Sequence, residues 1–115
     1  MNKRQVGNAY ETLAAEYLRG QGYEILERNF TCRGGEIDLI AREGEYLVFV
    51  EVKYRVGADY GFPSEAVTRG KQQKIIRAAR YYMMKHGYGL DTACRFDVVA
   101  VCGQDITLYR NAFGE

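Results

Sequence analysis

The stretch from Gly35 to Tyr54, GEIDLIAREGEYLVFVEVKY, constrains the fold more than any other part of the chain. Two apolar runs, EIDLIA and YLVFVEVKY, flank the polar Arg42-Glu43-Gly44-Glu45. Runs of this length, rich in Ile, Val, Phe and Tyr and parted by a glycine-containing turn, predict a β-hairpin. Inside the strands stand three residues that a core would not select: Asp38, Glu51 and Lys53. An unpartnered buried charge is costly, so their presence asks for a reason.

Parity supplies one. Side chains alternate along a strand, so Phe49, Glu51 and Lys53 share one face and Val48, Val50 and Val52 the other. A two-residue turn at Glu43-Gly44 sets Asp38 opposite Phe49, and a four-residue turn sets it opposite Glu51. Both registers bring Asp38 to the Glu51/Lys53 face and leave Ile37 and Leu39 with the valines; an odd-length turn would separate them. The expectation is a valine face turned to the core and a second face bearing two carboxylates and an ammonium group. Such a set suits a hard divalent cation such as Mg²⁺, with the lysine orienting or polarising a water beside it. The plain alternative is a solvated cross-strand charge cluster. Against it, Glu51 interrupts LVFV-E-VKY, a run too apolar for an ordinary wet strand. The pattern Asp-(hairpin)-Glu-x-Lys resembles the PD-(D/E)xK signature of the restriction-endonuclease-like superfamily.

The hairpin sits among elements that alternate helix and strand. Asn2 to Gly20 reads as a helix, with Val6, Tyr10, Leu13, Ala14 and Tyr17 on one stripe. Glu11 and Glu16 flank that stripe on opposite sides. Glu11 shares a row with Ala14, Ala15 and Leu18, a small-residue surface able to approach a sheet closely; the wheel favours neither glutamate. Tyr23 to Phe30 reads as a first strand, and Thr31 to Gly35 as a polar loop. Residues 55–62 lack a clear period and follow the Glu51/Lys53 strand directly, which makes them either a substrate loop or a plain connection.

Pro63-Ser64-Glu65 is expected to open a long helix reaching about His86. Its apolar stripe is Ile75, Ile76, Ala79, Tyr82 and Met83, and Arg69, Lys74, Arg77, Arg80 and Lys85 occupy much of the other side. No acidic residue occurs from Arg69 to His86. Net charge over the chain is only +1, so an argument for nucleic acid must rest on this local block. Phosphate backbone is its natural partner. Arg95 to Cys102 then reads as a buried strand and Ile106 to Asn111 as an edge strand. Asp97 is expected to be structural.

Other classes are poorly supported. Cys32, Cys94 and Cys102 form no C-x-x-C pair and have one histidine, His86, to join them, which is poor zinc spacing. Cys94 and Cys102 are expected to be buried thiols and Cys32 exposed. No apolar run approaches a membrane span, and the expected setting is cytoplasmic. At 115 residues, one domain over 1–115 is expected, small enough to gain from forming a homodimer.

The order α-β-β-β-α-β-β implies an α/β fold, a mixed sheet between helices. It is also the order of the restriction-endonuclease-like core. With it, the chain resembles the YraN family of small bacterial proteins, themselves similar to archaeal Holliday-junction resolvases. The matching pieces are G-x-x-x-E at Gly7 and Glu11, AAEYL at Ala14 to Leu18, ILERNF at Ile25 to Phe30, GEIDLIA at Gly35 to Ala41 and LVFVEVKYR at Leu47 to Arg55. GFPSEAV at Gly61 to Val67, RFDVVAV at Arg95 to Val101 and NAF at Asn111 to Phe113 complete them.

The resemblance implies a Mg²⁺-dependent DNA endonuclease, with Mn²⁺ able to substitute and branched or junction DNA as a possible substrate. It assigns Asp38 and Glu51 to the metal, Lys53 to the motif lysine and Glu11 to a helix-borne glutamate that joins the site. The alternative is a non-catalytic nucleic-acid-binding or scaffold protein that keeps the fold.

Overall fold

Asn2 caps helix α1 (Lys3–Gly20): its side chain accepts the Gln5 amide while the Gln5 side chain returns to the Asn2 amide. This reciprocal box satisfies donors that the first helical turn leaves orphaned. Five strands follow, β1 (Glu24–Cys32), β2 (Gly35–Glu43), β3 (Tyr46–Arg55), β4 (Cys94–Cys102) and β5 (Asp105–Phe113), with helix α2 (Arg69–Lys85) between β3 and β4. The structure is a computed structural model that describes residues 2–55 and 67–114. The expected substrate loop and the helix start at Pro63-Ser64-Glu65 fall largely on residues 56–66, outside the described residues. Helix α2 itself begins later than its spacing suggests. Thr68 is extended and its hydroxyl accepts the Lys71 amide, which fixes the first turn at Arg69.

The strands lie in sequence order, β1-β2-β3-β4-β5. Only β3 and β4 run parallel, as strands joined through a helical crossover can; the other neighbours are antiparallel. The β2–β3 turn is two residues long, Gly44-Glu45, one position beyond the expected pair. The observed pairs Leu39↔Val50, Ile40↔Phe49 and Glu43↔Tyr46 define the register. Carried one step further, it sets Asp38 opposite Glu51. Gly44 takes the positive φ, 58°, that such tight hairpins require at their first position.

Both faces of the sheet are covered. On one side α1 lays Ala14, Ala15 and Leu18 against Leu39, Ala41, Val48, Val50, Val99 and Val101. On the other, α2 packs Ile75, Ala78, Ala79 and Tyr82 against Ile40, Leu47, Phe49, Phe96 and Val98. The valine face is core as expected, but the opposite face is core as well along most of its length. Ile37 also departs from the expected grouping, for it packs on the α2 side with Phe30. Phe49 is wholly buried there, stacked on Phe96 at 5.6 Å and edge-on to Tyr82 at 6.0 Å. Emptying such a position costs about 3–5 kcal/mol.

The buried stripe of α1 is the small-residue row, while Leu13 is 39% exposed. Alanines let the helix axis come close to the sheet, which outweighs the larger apolar area of the tyrosine side. The close approach recurs at the β1–β2 turn. A Cβ on Gly35 would stand 2.9 Å from the Lys74 carbonyl oxygen, so the turn can seat against α2 only with glycine there.

Candidate functional site

The β2–β3 ladder reaches Leu39↔Val50, and one step on a side chain takes over from the backbone. Asp38 Oδ2 accepts the Val52 N–H at 2.8 Å. At this end of the sheet Glu11, Asp38, Glu51 and Lys53 line one cavity of about 600 Å³, with Gly7, Thr68 and Lys71 on its rim. The four residues that the sequence singled out for catalysis therefore meet in one place. Each element contributes for a local reason. Strand β3 supplies Glu51 and Lys53 on either side of Val52, and β2 supplies Asp38. Helix α1 carries Glu11 one turn before its buried Ala14-Ala15 row, over the sheet end. Glu16 is exposed and takes no part.

The electrostatics of the pocket are strained. Glu51 is 6% exposed. Burial, then a hydrogen bond with Asp38 and its charge, push its carboxyl up to about 9, against the pull of Lys71 and Lys53. Glu11 is also raised, by burial first and by the Asp38 charge second, with a hydrogen bond from Asn29 opposing both. Two acid oxygens, Glu11 Oε1 and Glu51 Oε2, are buried without a hydrogen-bond partner among the described residues. Such orphaned acceptors are uncommon in folded proteins, and a cation or ordered water is their usual complement.

The donor set fits a hard cation. Among the described residues no group of three or more His, Cys, Asp or Glu side chains forms a ready-made metal cage. Mg²⁺ does not need one, because it is held by one or two carboxylates and completes its shell with water and substrate phosphate oxygens. Asp38 and Glu51 form such a pair, and the Glu11 charge lies close enough to couple to Asp38.

Two contributors were not anticipated. Lys71 reaches the pocket from α2, its Nζ 3.7 Å from Glu51 Oε2. It had been visible only as one of six cations in an acid-free stretch. Asn29 adopts φ 54° in β1, a conformation asparagine tolerates better than most residues, and holds Glu11. A polar Asn within ILERNF was its only signal. At the rim Tyr10 and Tyr54 stack at 4.3 Å, nearly parallel.

The residues expected to meet nucleic acid all lie along α2. Arg69, Arg77 and Arg80 line a second cavity along α2 with Gln72 and Gln73, whereas Lys74 lies in a cleft beside the β1–β2 turn with Lys71 and Glu36. All four are exposed. Asp97 is structural, as expected. It is fully buried and accepts from Arg95 Nε at 2.9 Å, the Tyr23 hydroxyl at 2.7 Å and the Asn111 amide at 2.9 Å. Breaking such a buried pair costs about 3–5 kcal/mol. The cysteines differ from expectation in their burial: Cys94 is exposed and Cys32 and Cys102 are half-buried. Cys94 opens β4 at the sheet end, outside the apolar part of its own run. Among the described residues no helix is long and apolar enough to cross a membrane.

A sequence profile of the uncharacterised protein family UPF0102 matches residues 10–101, which takes in every acid of the pocket together with Lys53 and Lys71. The chain belongs to this family. A UPF0102 protein of Lachnoclostridium phytofermentans is 53% identical over 113 residues, covering 98% of this chain and 96% of the relative. One from Caldicellulosiruptor saccharolyticus is 47% identical over 119 residues, covering 98% and 100%. The UPF0102 protein YraN of Escherichia fergusonii is 44% identical over 116 residues, covering 100% and 88%. The UPF0102 members thus share the whole length of this chain, and the resemblance to YraN read from the motifs holds.

Proposed function

We propose that this UPF0102 chain is a divalent-metal-dependent DNA endonuclease, acting on branched or junction DNA. One observation carries the reading: two buried acid oxygens, Glu11 Oε1 and Glu51 Oε2, that have no hydrogen-bond partner among the described residues, in the same pocket as Asp38 and Lys53. Asp38 and Glu51 would hold Mg²⁺, or Mn²⁺ in its place, with Glu11 beside them. The cation would supply positive charge where a phosphodiester gathers negative charge as its bond breaks. Lys53 orients the attacking water and faces the phosphate from the strand end, and Asp38, fixed by Val52, keeps the pocket in shape. Arg69, Arg77 and Arg80 bind backbone phosphates beyond the scissile one. A homodimer would present two pockets to two strands, and a cytoplasmic setting goes with a DNA substrate.

A non-catalytic nucleic-acid-binding or scaffold role is the second reading. It is favoured by Asp38 being already committed to the Val52 amide, which gives that acid a structural use. Wild type, Lys53→Ala and Asp38→Ala incubated with four-way junctions, flaps, single strands and duplexes in Mg²⁺ or Mn²⁺ separate the two. The endonuclease reading expects Lys53→Ala to lose about 10²-fold in cleavage while binding hardly changes. Tight binding without cleavage of any of these substrates by wild type would favour the scaffold.

A further inference from the structure

The pocket contains a cation that its acids do not fully use. Lys71 Nζ lies 3.7 Å from Glu51 Oε2, beyond the 2.7–2.9 Å of a charge-assisted hydrogen bond, and among the described residues that oxygen has no hydrogen-bond partner. The Glu51 side chain is 7% exposed and the Lys71 side chain 39%. The acid is therefore fixed in the protein and the ammonium hangs over it from solvent. Attraction at this distance holds the lysine in the pocket without locking its position.

Lys71 is also badly placed for its own helix. It sits in the first turn of α2, which has no acidic residue and whose dipole is unfavourable to a cation. Helix stability thus gives no reason for a lysine here. Its side chain lines two adjoining hollows, the carboxylate pocket and the cleft shared with Lys74. A flexible four-carbon stem rooted between them can swing its ammonium from one to the other without moving the backbone.

We propose that Lys71 is the resident counter-ion of the carboxylate pocket, balancing the charge that Asp38 and Glu51 share until a divalent cation replaces it and then passing its charge to a phosphate of the substrate. This rests on reading the pocket as a metal site. Lysine and divalent cation compete for one acid, so removing the lysine must move metal affinity and substrate affinity in opposite directions. A surface lysine with only a stabilising role would move neither in that pattern.

The test uses the full chain and two probes, Mn²⁺ by calorimetry and a labelled four-way DNA junction by anisotropy in Ca²⁺. Lys71→Met, which keeps the stem and drops the charge, is expected to bind Mn²⁺ about 3- to 10-fold more tightly. The same variant is expected to bind the junction about tenfold more weakly, with a salt dependence shallower by about one ion. Lys71→Gln must repeat both changes, and Lys71→Arg must restore both toward wild type. Mn²⁺ affinity unchanged or weakened in Lys71→Met and Lys71→Gln, with wild type binding normally, overturns the inference and leaves the metal site standing. No Mn²⁺ binding by wild type overturns the metal reading and the inference together.

Discussion

The Val52 amide donates to the Asp38 carboxylate at 2.8 Å, so one acid of the pocket is fixed by the strand that carries the other. Glu51 and Lys53 flank that amide in sequence. A single hydrogen bond across the hairpin therefore sets the spacing of all three charged groups, and backbone geometry does most of the positioning. This is the rigid support that the proposed catalytic role would require, since small displacements are costly in rate.

That bond separates the two roles of Asp38. Asp38→Asn keeps an oxygen for Val52 and removes the charge, so its melting temperature in EDTA should equal or exceed that of wild type. Asp38→Ala leaves the amide unpaired and should lose about 1–3 kcal/mol. Thermal melts of the two variants side by side check the difference. Equal destabilisation in both would show that the charge, and not the acceptor, holds the hairpin.

Stability of the metal-free protein should fall as pH rises. The Glu51 carboxyl is held near 9 in the folded chain against an ordinary 4.5. Between those values the folded state binds more protons than the unfolded state. The contribution is whole below about pH 4.5 and is lost as pH climbs through about 9. Glu51→Gln cannot ionise and should flatten this dependence, melting about 5 °C or more above wild type near pH 8 in EDTA. A wild-type melting temperature that does not fall between about pH 6 and 9 would contradict the assignment.

The arginine face makes a separate claim. Replacing Arg69, Arg77 and Arg80 by Gln should weaken junction binding across sequences and flatten its salt dependence, leaving Mn²⁺ affinity intact. Sedimentation of the same variant distinguishes a dimer interface: if α2 pairs two copies, the assembly shifts and affinity per dimer stays.

Much of this was legible before the fold was known, because side chains alternate along most of each strand, although Ile37 breaks the alternation beside Asp38. Moving the turn by one residue changes the register by two, so Asp38 stayed on the Glu51/Lys53 side although the turn fell at Gly44-Glu45 and not at Glu43-Gly44. Helix faces were less legible. The wheel of α1 weighs tyrosines by apolar area, whereas Ala14 and Ala15 win by allowing close approach, and that choice is what brings Glu11 inward. Lys71 and Asn29 were hidden for another reason. Their roles depend on where α2 starts and how β1 turns its backbone, and neither has a periodic signature. Cys94 was misjudged because an apolar run does not say where its strand leaves the core.

The account rests on the pocket holding a divalent cation. Calorimetric titration of Mn²⁺ into wild type, Asp38→Asn and Glu51→Gln, each checked for folding, tests this most directly. The account predicts a saturable site in wild type that each substitution weakens about tenfold or more. Equal Mn²⁺ affinity in all three proteins would contradict it.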